Sequence, residues 1–276
     1  MYKVKENKLE LEHGSINEGL IAVASGKGGV GKSTATVNLA LALNKMGKKV
    51  GIIDADVRGF SIPRMIGLEE KPRALSESEM VPPEVKGIKV ISMGSFVNES
   101  DPVIWRAPLL QGALQQFFQD VHWQELDYLL LDLPPGTGDM PLNILQKLPH
   151  AELVVITTPQ QTATSVAGRI GKMAEKMDSE VIGVIENMSY YKCPECGNRE
   201  YIFGRNGGQK LADALNTELL GQLPLVKELR EVSDEGQSLQ ENNDSTVGQE
   251  FKKIAENLTE RKIYFDPELK PMELEK

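Results

Sequence analysis

Short apolar runs alternate with longer amphipathic segments along most of this chain, and the alternation predicts a sheet with helices on both faces. The apolar runs are rich in β-branched residues, which is typical of strands that are buried on both sides. The predicted strands are residues 20–24, 50–54, 88–92, 128–132, 153–157, 181–186 and 219–222. The predicted helices are residues 32–46, 107–121, 141–147, 165–177, 208–215 and 247–261.

This order of elements indicates βαβ units, so we predict a single α/β domain of three layers around a mostly parallel sheet of about seven strands. The domain is expected to span residues 19–264, after a flexible lead-in at residues 1–18 and before a charged tail at residues 265–276. Residues 69–87 are charged and contain three prolines, so we expect a mobile connection there. Ligands of such sheets bind at the carboxyl ends of the strands.

The composition narrows the classes of partner. The net charge of −9 does not favour nonspecific nucleic-acid binding, which needs a basic face. No apolar run approaches the ~18 residues of a membrane span, and the charged N-terminal residues lack the apolar core of a signal peptide. We therefore expect a cytoplasmic protein with no nucleic-acid or membrane partner. The two cysteines, Cys193 and Cys196, exclude a disulfide framework.

Residues 26–34, the phosphate loop, fit the pattern G-x-x-x-x-G-K-[ST] and lie between a predicted strand and a predicted helix. Backbone N–H groups of such a loop and the helix N-terminus bind phosphate. Lys32 is expected to reach the β- and γ-phosphates, and the Ser33 hydroxyl to bind Mg²⁺. The nucleotide-binding residues predicted in this loop are Gly26, Lys27, Gly28, Gly29, Val30, Gly31, Lys32, Ser33 and Thr34.

A second lysine in the loop, Lys27, is not needed by an ordinary phosphate loop. A cation at this place can cross a dimer interface and contact the nucleotide of the partner, as an arginine finger does. The alternative is a solvated surface lysine.

Three aspartates follow predicted strands, where carboxylates suit a Mg²⁺ ion that keeps several of its waters. Asp54 and Asp132 are the candidates for holding that ion, and Asp56 is the candidate for orienting the attacking water. Phosphoryl transfer needs mainly positioning and charge neutralisation, so the predicted catalytic residues are Lys27, Lys32 and Asp56. Each aspartate taken alone also fits a cap or turn at a strand end.

Asn187 follows the sixth predicted strand and can offer a donor and an acceptor to a purine edge. A turn asparagine fits this position equally well.

Cys193 and Cys196 are spaced so that both thiolates can bind one metal centre. A complete zinc or iron–sulfur ligand set needs four ligands, and a twofold dimer of this chain would supply them. The residues alone leave zinc and iron–sulfur open. A thioredoxin-like redox pair would be expected at the start of a helix in a different setting.

These motifs together resemble the Mrp/ApbC family of iron–sulfur carrier ATPases, in the deviant Walker A class that also includes partition ATPases. The resemblance covers residues 19–239. It rests on the phosphate loop with Lys27, on Asp54-Ala55-Asp56, and on a second switch at residues 132–139. Residues 105–108 resemble a further family segment, and residues 186–189 followed by the cysteine pair match the stretch that separates this family from its partition relatives.

The resemblance implies a homodimer with ATP and Mg²⁺ at its interface and a [4Fe–4S] cluster bound by Cys193 and Cys196 of both subunits. It also implies slow ATP hydrolysis coupled to transfer of the cluster to apo-proteins. Phe60 and Ala107 replace the proline and glycine that are usual in the family, and the N-terminal domain of many bacterial members is not expected here. Two alternatives stay open: a partition-type positioning switch and a zinc-bridged regulatory dimer.

Overall fold

The computed structural model describes residues 9–56, 59–96, 107–148, 151–160, 163–177, 179–236 and 245–261. The strands are β1 (Gly14–Ser25), β2 (Val50–Asp54), β3 (Arg73–Ala74), β4 (Met80–Val81), β5 (Glu84–Val85), β6 (Ile88–Ser92), β7 (Gln124–Asp132), β8 (Glu152–Thr157), β9 (Val181–Glu186), β10 (Tyr191–Lys192), β11 (Arg199–Glu200) and β12 (Leu219–Gln222). The helices are α1 (Lys32–Lys45), α2 (Ile62–Ile66), α3 (Ala107–Gln119), α4 (Asp139–Leu145), α5 (Ala163–Met177), α6 (Gly207–Ala214), α7 (Lys227–Asp234) and α8 (Thr246–Glu260), with a 3-10 turn at Met93–Phe96.

Eight of these strands form one sheet in the order β12-β9-β8-β1-β7-β2-β6-β5. Neighbouring strands run parallel, except that β5 is antiparallel to β6 at the edge. β1 and β7 lie at the centre, so their carboxyl ends meet the ends of β2 and β8 on the same side of the domain. The predicted mostly parallel sheet is confirmed, with one strand more than expected.

Helices cover both faces of the sheet, because alternate side chains of β1 point to opposite sides. Ile21 and Val23 belong to a buried cluster that includes residues of α1, α2, α7 and α8. Leu20, Ala22 and Ala24 belong to a second cluster with residues of α3, α4, α5 and α6. The predicted three layers are therefore present.

All seven predicted strands and all six predicted helices are found, and each predicted helix end lies within two residues of the observed end. α2 was not predicted because its five residues are too few to show a helical period. α7 was not predicted because its segment, KELREVSD, is mostly charged. In the part of α8 that faces the sheet, Phe251, Ile254 and Leu258 are buried, so α8 packs against the domain as a core helix.

The strand β1 begins at Gly14, six residues before the predicted start, so the expected flexible lead-in does not extend to residue 18. Residues 14–16 pair in parallel with residues 124–126 of β7. Among residues 14–18 only Ile16 is apolar, so the sequence pattern did not show this extension. Residues 1–8 of the lead-in, residues 105 and 106 of the further family segment, and the tail from residue 262 lie outside the described residues.

The expectation of a mobile connection at residues 69–87 is wrong. β3 and β4 pair with each other, and β5 pairs with β6 across a two-residue turn at Lys86 and Gly87. Both turn residues have positive φ, 52° and 76°, which is the backbone geometry of tight hairpin turns. Met80 also donates its backbone N–H to Asp120 O at 2.8 Å, which ties the segment to the end of α3.

No helix in the described ranges combines the length and the apolar character that crossing a bilayer would require.

The environment of Glu152, the first residue of β8, disfavours ionisation of its carboxyl group. Burial, followed by the charge of Glu180, raises the pKa of Glu152 to about 7 from an ordinary 4.5, although Arg261 acts in the opposite direction. Within the described residues, its Oε2 atom is buried with no hydrogen-bond partner.

We predict that Glu152→Gln stabilises the chain at pH 8 by about 1–2 kcal/mol, a modest value because water still reaches the group. Between pH 4.5 and 7 the folded chain binds this proton more tightly than the unfolded chain does, so wild-type stability falls as pH rises through that interval. Urea unfolding at pH 5 and pH 8 measures the difference between the variant and the wild type. A gain of equal size at both pH values would contradict this account.

Candidate functional site

The phosphate loop lies at the carboxyl end of β1 and leads directly into α1. Gly29 and Gly31 have φ angles of 78° and 85°, in the left-handed region that favours glycine. Gly31 is the N-cap of α1, and its carbonyl accepts the first helical bond from Ala35 N at 2.9 Å. A Cβ atom at Gly31 would overlap the side-chain amide of Asn187. Glycine is therefore required here both for the backbone angle and for a close approach.

Asp132, at the end of β7, is a fully buried carboxylate with three side-chain donors. Its Oδ2 accepts from Lys32 Nζ at 2.6 Å and from Ser33 Oγ at 2.7 Å, and its Oδ1 accepts from Thr36 Oγ1 at 2.7 Å. All three donors belong to the first turns of α1. One carboxylate thus fixes the position of the helix that follows the phosphate loop.

Asp54 ends the neighbouring strand β2 and is the direct register partner of Asp132. It accepts a hydrogen bond from Ser92 Oγ at 3.0 Å and from the backbone N–H of Asp56 at 3.2 Å. Burial raises the pKa of Asp54 to about 7, and the charge of Asp132 acts in the same direction. Within the part of the chain that the structure describes, the charge of Lys32 acts on both buried carboxylates, and a divalent cation would offset the remaining negative charge.

The predicted magnesium ligands, Ser33, Asp54 and Asp132, are brought together by this arrangement. Hydroxyl and carboxylate oxygens are the donors that Mg²⁺ prefers, so the donor set fits this ion. Asp56 lies two residues beyond Asp54 in the chain and is 9% exposed. Its expected role with the attacking water stays a prediction.

Two loop residues point away from this group. The exposed Lys27 donates from Nζ to Gln160 Oε1 at 3.3 Å, within the same chain. Thr34 contacts Met65 of α2, with 3.9 Å between Oγ1 and Sδ. The predicted contact of Lys27 with a partner's nucleotide stays a prediction.

Asn187 joins the end of β9 to the phosphate loop. Its Nδ2 donates to Val30 O at 2.8 Å, and its Oδ1 accepts the backbone N–H of Met188 at 2.9 Å. Its backbone N–H donates to Thr157 O at 2.8 Å, at the end of β8. The Asn187 side chain thus supports the phosphate loop, and its contact with a purine stays a prediction.

Glu186, the residue before Asn187, has a role that the sequence analysis missed. Its carboxylate is fully buried and accepts from Ser189 Oγ at 2.6 Å, from Gln222 Nε2 at 2.7 Å and from the backbone N–H of Gly208. Gly208 lies in the first turn of α6, where backbone N–H groups favour an anion. The signal available in the sequence was an acidic residue that ends an apolar strand and begins the family stretch at residues 186–189.

The cysteine pair lies in a short antiparallel hairpin, residues 191–200, formed by β10 and β11. Cys193 donates its N–H to Asn198 O at 2.9 Å and accepts from Gly197 N at 2.9 Å, so the backbone turns tightly around the thiols. Backbone N–H groups of Cys196 and Glu195, and the thiol of Cys196, lower the pKa of the Cys193 thiol. Both cysteines are free, and Cys196 is exposed. A turn that favours thiolate at an exposed hairpin suits a metal or cluster ligand.

Comparison with known proteins decides the family. Residues 17–259 match the family described as NUBPL iron-transfer P-loop NTPase. The chain belongs to this family.

Curated relatives carry the name iron–sulfur cluster carrier protein. The protein of Bacillus subtilis is 55% identical over 205 residues, covering 74% of this chain and 58% of the relative. The protein of Methanocaldococcus jannaschii is 44% identical over 262 residues, covering 94% of this chain and 88% of the relative. The chain spans 58% to 65% of the length of the Bacillus, Mycobacterium leprae and Mycobacterium bovis relatives that it matches. The resemblance to iron–sulfur carrier ATPases is confirmed.

Solved structures confirm the fold. A nucleotide-binding protein of Archaeoglobus fulgidus, in complex with ADP and with cobalt found in it, is 41% identical with a TM-score of 0.73, covering 84% of this chain and 90% of its own. The septum-site protein MinD of Pyrococcus horikoshii, complexed with Mg-ADP, has a TM-score of 0.62 at 22% identity, covering 88% of this chain and 96% of its own. The MinD likeness shows the P-loop NTPase fold alone.

We predict that Gly31→Ala lowers both stability and nucleotide affinity, whereas Gly47→Ala lowers stability alone. Gly47 is a matched control because its φ is 86° but a Cβ there meets nothing within 4 Å. We expect a loss of about 1 kcal/mol for Gly47→Ala from backbone strain, and about 2–3 kcal/mol for Gly31→Ala because the Asn187 amide must also move. Urea unfolding and titration with a fluorescent ADP measure the two effects. Equal losses in the two variants would contradict the close approach at Gly31.

Proposed function

We propose that this chain is a Mg²⁺-dependent ATPase that works as a homodimer, binds an iron–sulfur cluster between its two subunits, and transfers the cluster to apo-proteins. The observation that carries the proposal is the adjacency of Glu186 and Asn187. Asn187 holds the phosphate loop through Val30 O, and Glu186 holds the base of the segment that leads to the cysteine hairpin through Ser189. These contacts support a nucleotide site and a cluster site that are both connected to the end of β9.

The segment between these two sites is firmly attached to the sheet. Ser189 N donates to Leu223 O at 2.8 Å, and Leu225 N donates to Tyr190 O at 2.7 Å. Tyr191 forms a further bridge with Leu225. A displacement of the phosphate loop would thus reach the hairpin through backbone that has little freedom of its own, which supports coupling between nucleotide and cluster.

The nucleotide would bind with its phosphates over the N-terminus of α1. Lys32 would contact the β- and γ-phosphates, and the loop backbone from Gly26 to Thr34 would surround them. Ser33 would bind Mg²⁺ directly, while Asp54 and Asp132 would hold its waters; the ion supplies positive charge that offsets the charge of the phosphates. The Lys32–Asp132 pair already places the ammonium beside these oxygen ligands.

Hydrolysis needs a positioned water and further positive charge. Asp56 would orient the water, since it lies two residues after Asp54 and donates its backbone N–H to the Asp54 carboxylate. Lys27 would supply charge to the nucleotide of the partner subunit, because it is the exposed lysine of the loop. Its contact with the Gln160 side chain is a single exposed hydrogen bond, which costs little to exchange for a phosphate. Turnover would be slow because it waits for the dimer to form and for the cluster to leave.

The cluster would be cargo held by four thiolates. Each chain contains two cysteines, and a twofold axis beside the two hairpins brings the number to four. Cys193, whose pKa is lowered by backbone N–H groups, is prepared to bind as thiolate. The recipients would be apo-proteins that offer thiolates of their own.

Anaerobic reconstitution with ferrous iron and sulfide tests the proposal. The wild type is expected to gain visible absorbance and about two iron and two sulfide per chain, the content of one [4Fe–4S] cluster per dimer. Cys193→Ser and Cys196→Ser should each lose both, since two ligands of the dimer's four are removed. Lys192→Ala, which changes an exposed neighbour of Cys193, is the matched control and should keep both.

The same samples distinguish the alternatives. Protein that binds zinc but takes up no sulfide would support a zinc-bridged dimer and contradict the carrier. Equal iron content in the cysteine variants would also contradict it.

If nucleotide and cluster are coupled through Glu186, then Mg-ATP should alter the rate of cluster transfer to an apo-ferredoxin in the wild type and much less in Glu186→Gln.

A further inference from the structure

A second group of metal-ligating side chains lies at the opposite end of the sheet from the phosphate loop. His13, Glu79 and His122, here named the histidine site, each present one ligand atom, and these atoms lie within 4.8 Å of one another. The two imidazole rings are stacked, with centroids 4.2 Å apart and planes inclined by 6°. His13 Nε2 lies 3.7 Å from Glu79 Oε1, and His122 Nε2 lies 3.1 Å from Glu79 Oε2.

Backbone hydrogen bonds hold the three segments that carry these side chains. His13 precedes β1, and its carbonyl accepts from Gln124 N at 3.0 Å. His122 N donates to Met80 O at 2.9 Å, which fixes the residue after Glu79 against the turn before β7. The side chains are partly buried, with 30% exposure for each histidine and 38% for Glu79. The ligands therefore converge through the fold itself rather than through the flexibility of one loop.

The charge and the donor types favour a divalent transition metal. The two stacked imidazole rings both direct Nε2 toward the carboxylate of Glu79. A hydrogen bond to that carboxylate needs only one of the two rings, so hydrogen bonding alone does not explain the pair. The carboxyl group of Asp120 is subject to the charges of Glu12, His13 and Glu79, so the surroundings carry surplus negative charge. Imidazole nitrogen suits zinc and its first-row neighbours, whereas Mg²⁺ takes oxygen ligands.

We propose that His13, Glu79 and His122 bind a divalent transition metal ion of the zinc class, with a fourth position open to water. The bound ion links the start of β1, the β3–β4 hairpin and the turn before β7. It does not share residues with the magnesium or cysteine sites, and the 12 residues of β1 separate it from the phosphate loop by about 40 Å. The site gives the hairpin at residues 73–81 a metal-dependent attachment to the domain.

The test uses the full chain with Cys193→Ser and Cys196→Ser as background, so that the thiols do not compete for the metal. Calorimetric titration with Zn²⁺ alone, without nucleotide, is expected to give one ion per chain. His13→Gln, Glu79→Gln and His122→Gln should each weaken binding at least tenfold, because each removes one of three protein ligands. Glu77→Gln makes the same charge change at an exposed position of the same hairpin and should leave affinity unchanged.

Thermal unfolding provides a second readout. A hundredfold excess of Zn²⁺ over its Kd should raise the melting temperature of the background chain by about 5 °C and leave that of His122→Gln unchanged. If a variant does not fold, modification of the background chain by diethyl pyrocarbonate decides instead: Zn²⁺ should protect His13 and His122. A background chain that binds no Zn²⁺, variants that bind it as tightly, or histidines that Zn²⁺ leaves unprotected would overturn the proposal.

Discussion

The buried carboxylate of Asp132 is the contact on which the rest of this structure depends. It lies at the end of a central strand and accepts hydrogen bonds from Lys32, Ser33 and Thr36. These donors fix the first two turns of α1, and with them the phosphate loop that precedes the helix. An unpaired charge at this depth would cost several kcal/mol, so the carboxylate and the lysine require each other.

This constraint explains why the other site residues lie where they do. Asp54 stands directly opposite Asp132 in the β2–β7 ladder, so the parallel register brings the two carboxylates together. The end of β9 lies on the same side of the domain as the ends of β2 and β7. There Asn187 contacts the phosphate loop, and Glu186 contacts the segment before the cysteine hairpin. Consecutive residues of one strand end thus contact the phosphate loop and the segment before the cysteine hairpin, where we propose that nucleotide and cluster bind. This continuity is the physical basis for expecting one to influence the other.

The sequence predicted the elements and the phosphate loop well, because long apolar runs and a glycine-rich motif are local signals. It did not predict β5, whose pairing depends on the positive φ angles of Lys86 and Gly87. It also missed Thr36 and Glu186, since a buried polar side chain is recognised only when its partners are known. The histidine site could not be predicted for the same reason. His13, Glu79 and His122 are far apart in the chain and meet only after β1, the β3–β4 hairpin and α3 have packed together. For Asn187, the structure shows a contact with the loop backbone that the sequence did not predict, and the base contact stays a prediction.

A double-mutant cycle between Lys32 and Asp132 tests the central claim most directly. The free energy of unfolding would be measured in urea for Lys32→Met, for Asp132→Asn and for the double variant, all without nucleotide. The account predicts that Lys32→Met alone costs about 3–5 kcal/mol, and that the double variant is more stable than the sum of the single losses by at least about 1.5 kcal/mol. Losses that add to within about 0.5 kcal/mol would show that the two residues are independent and would contradict the account.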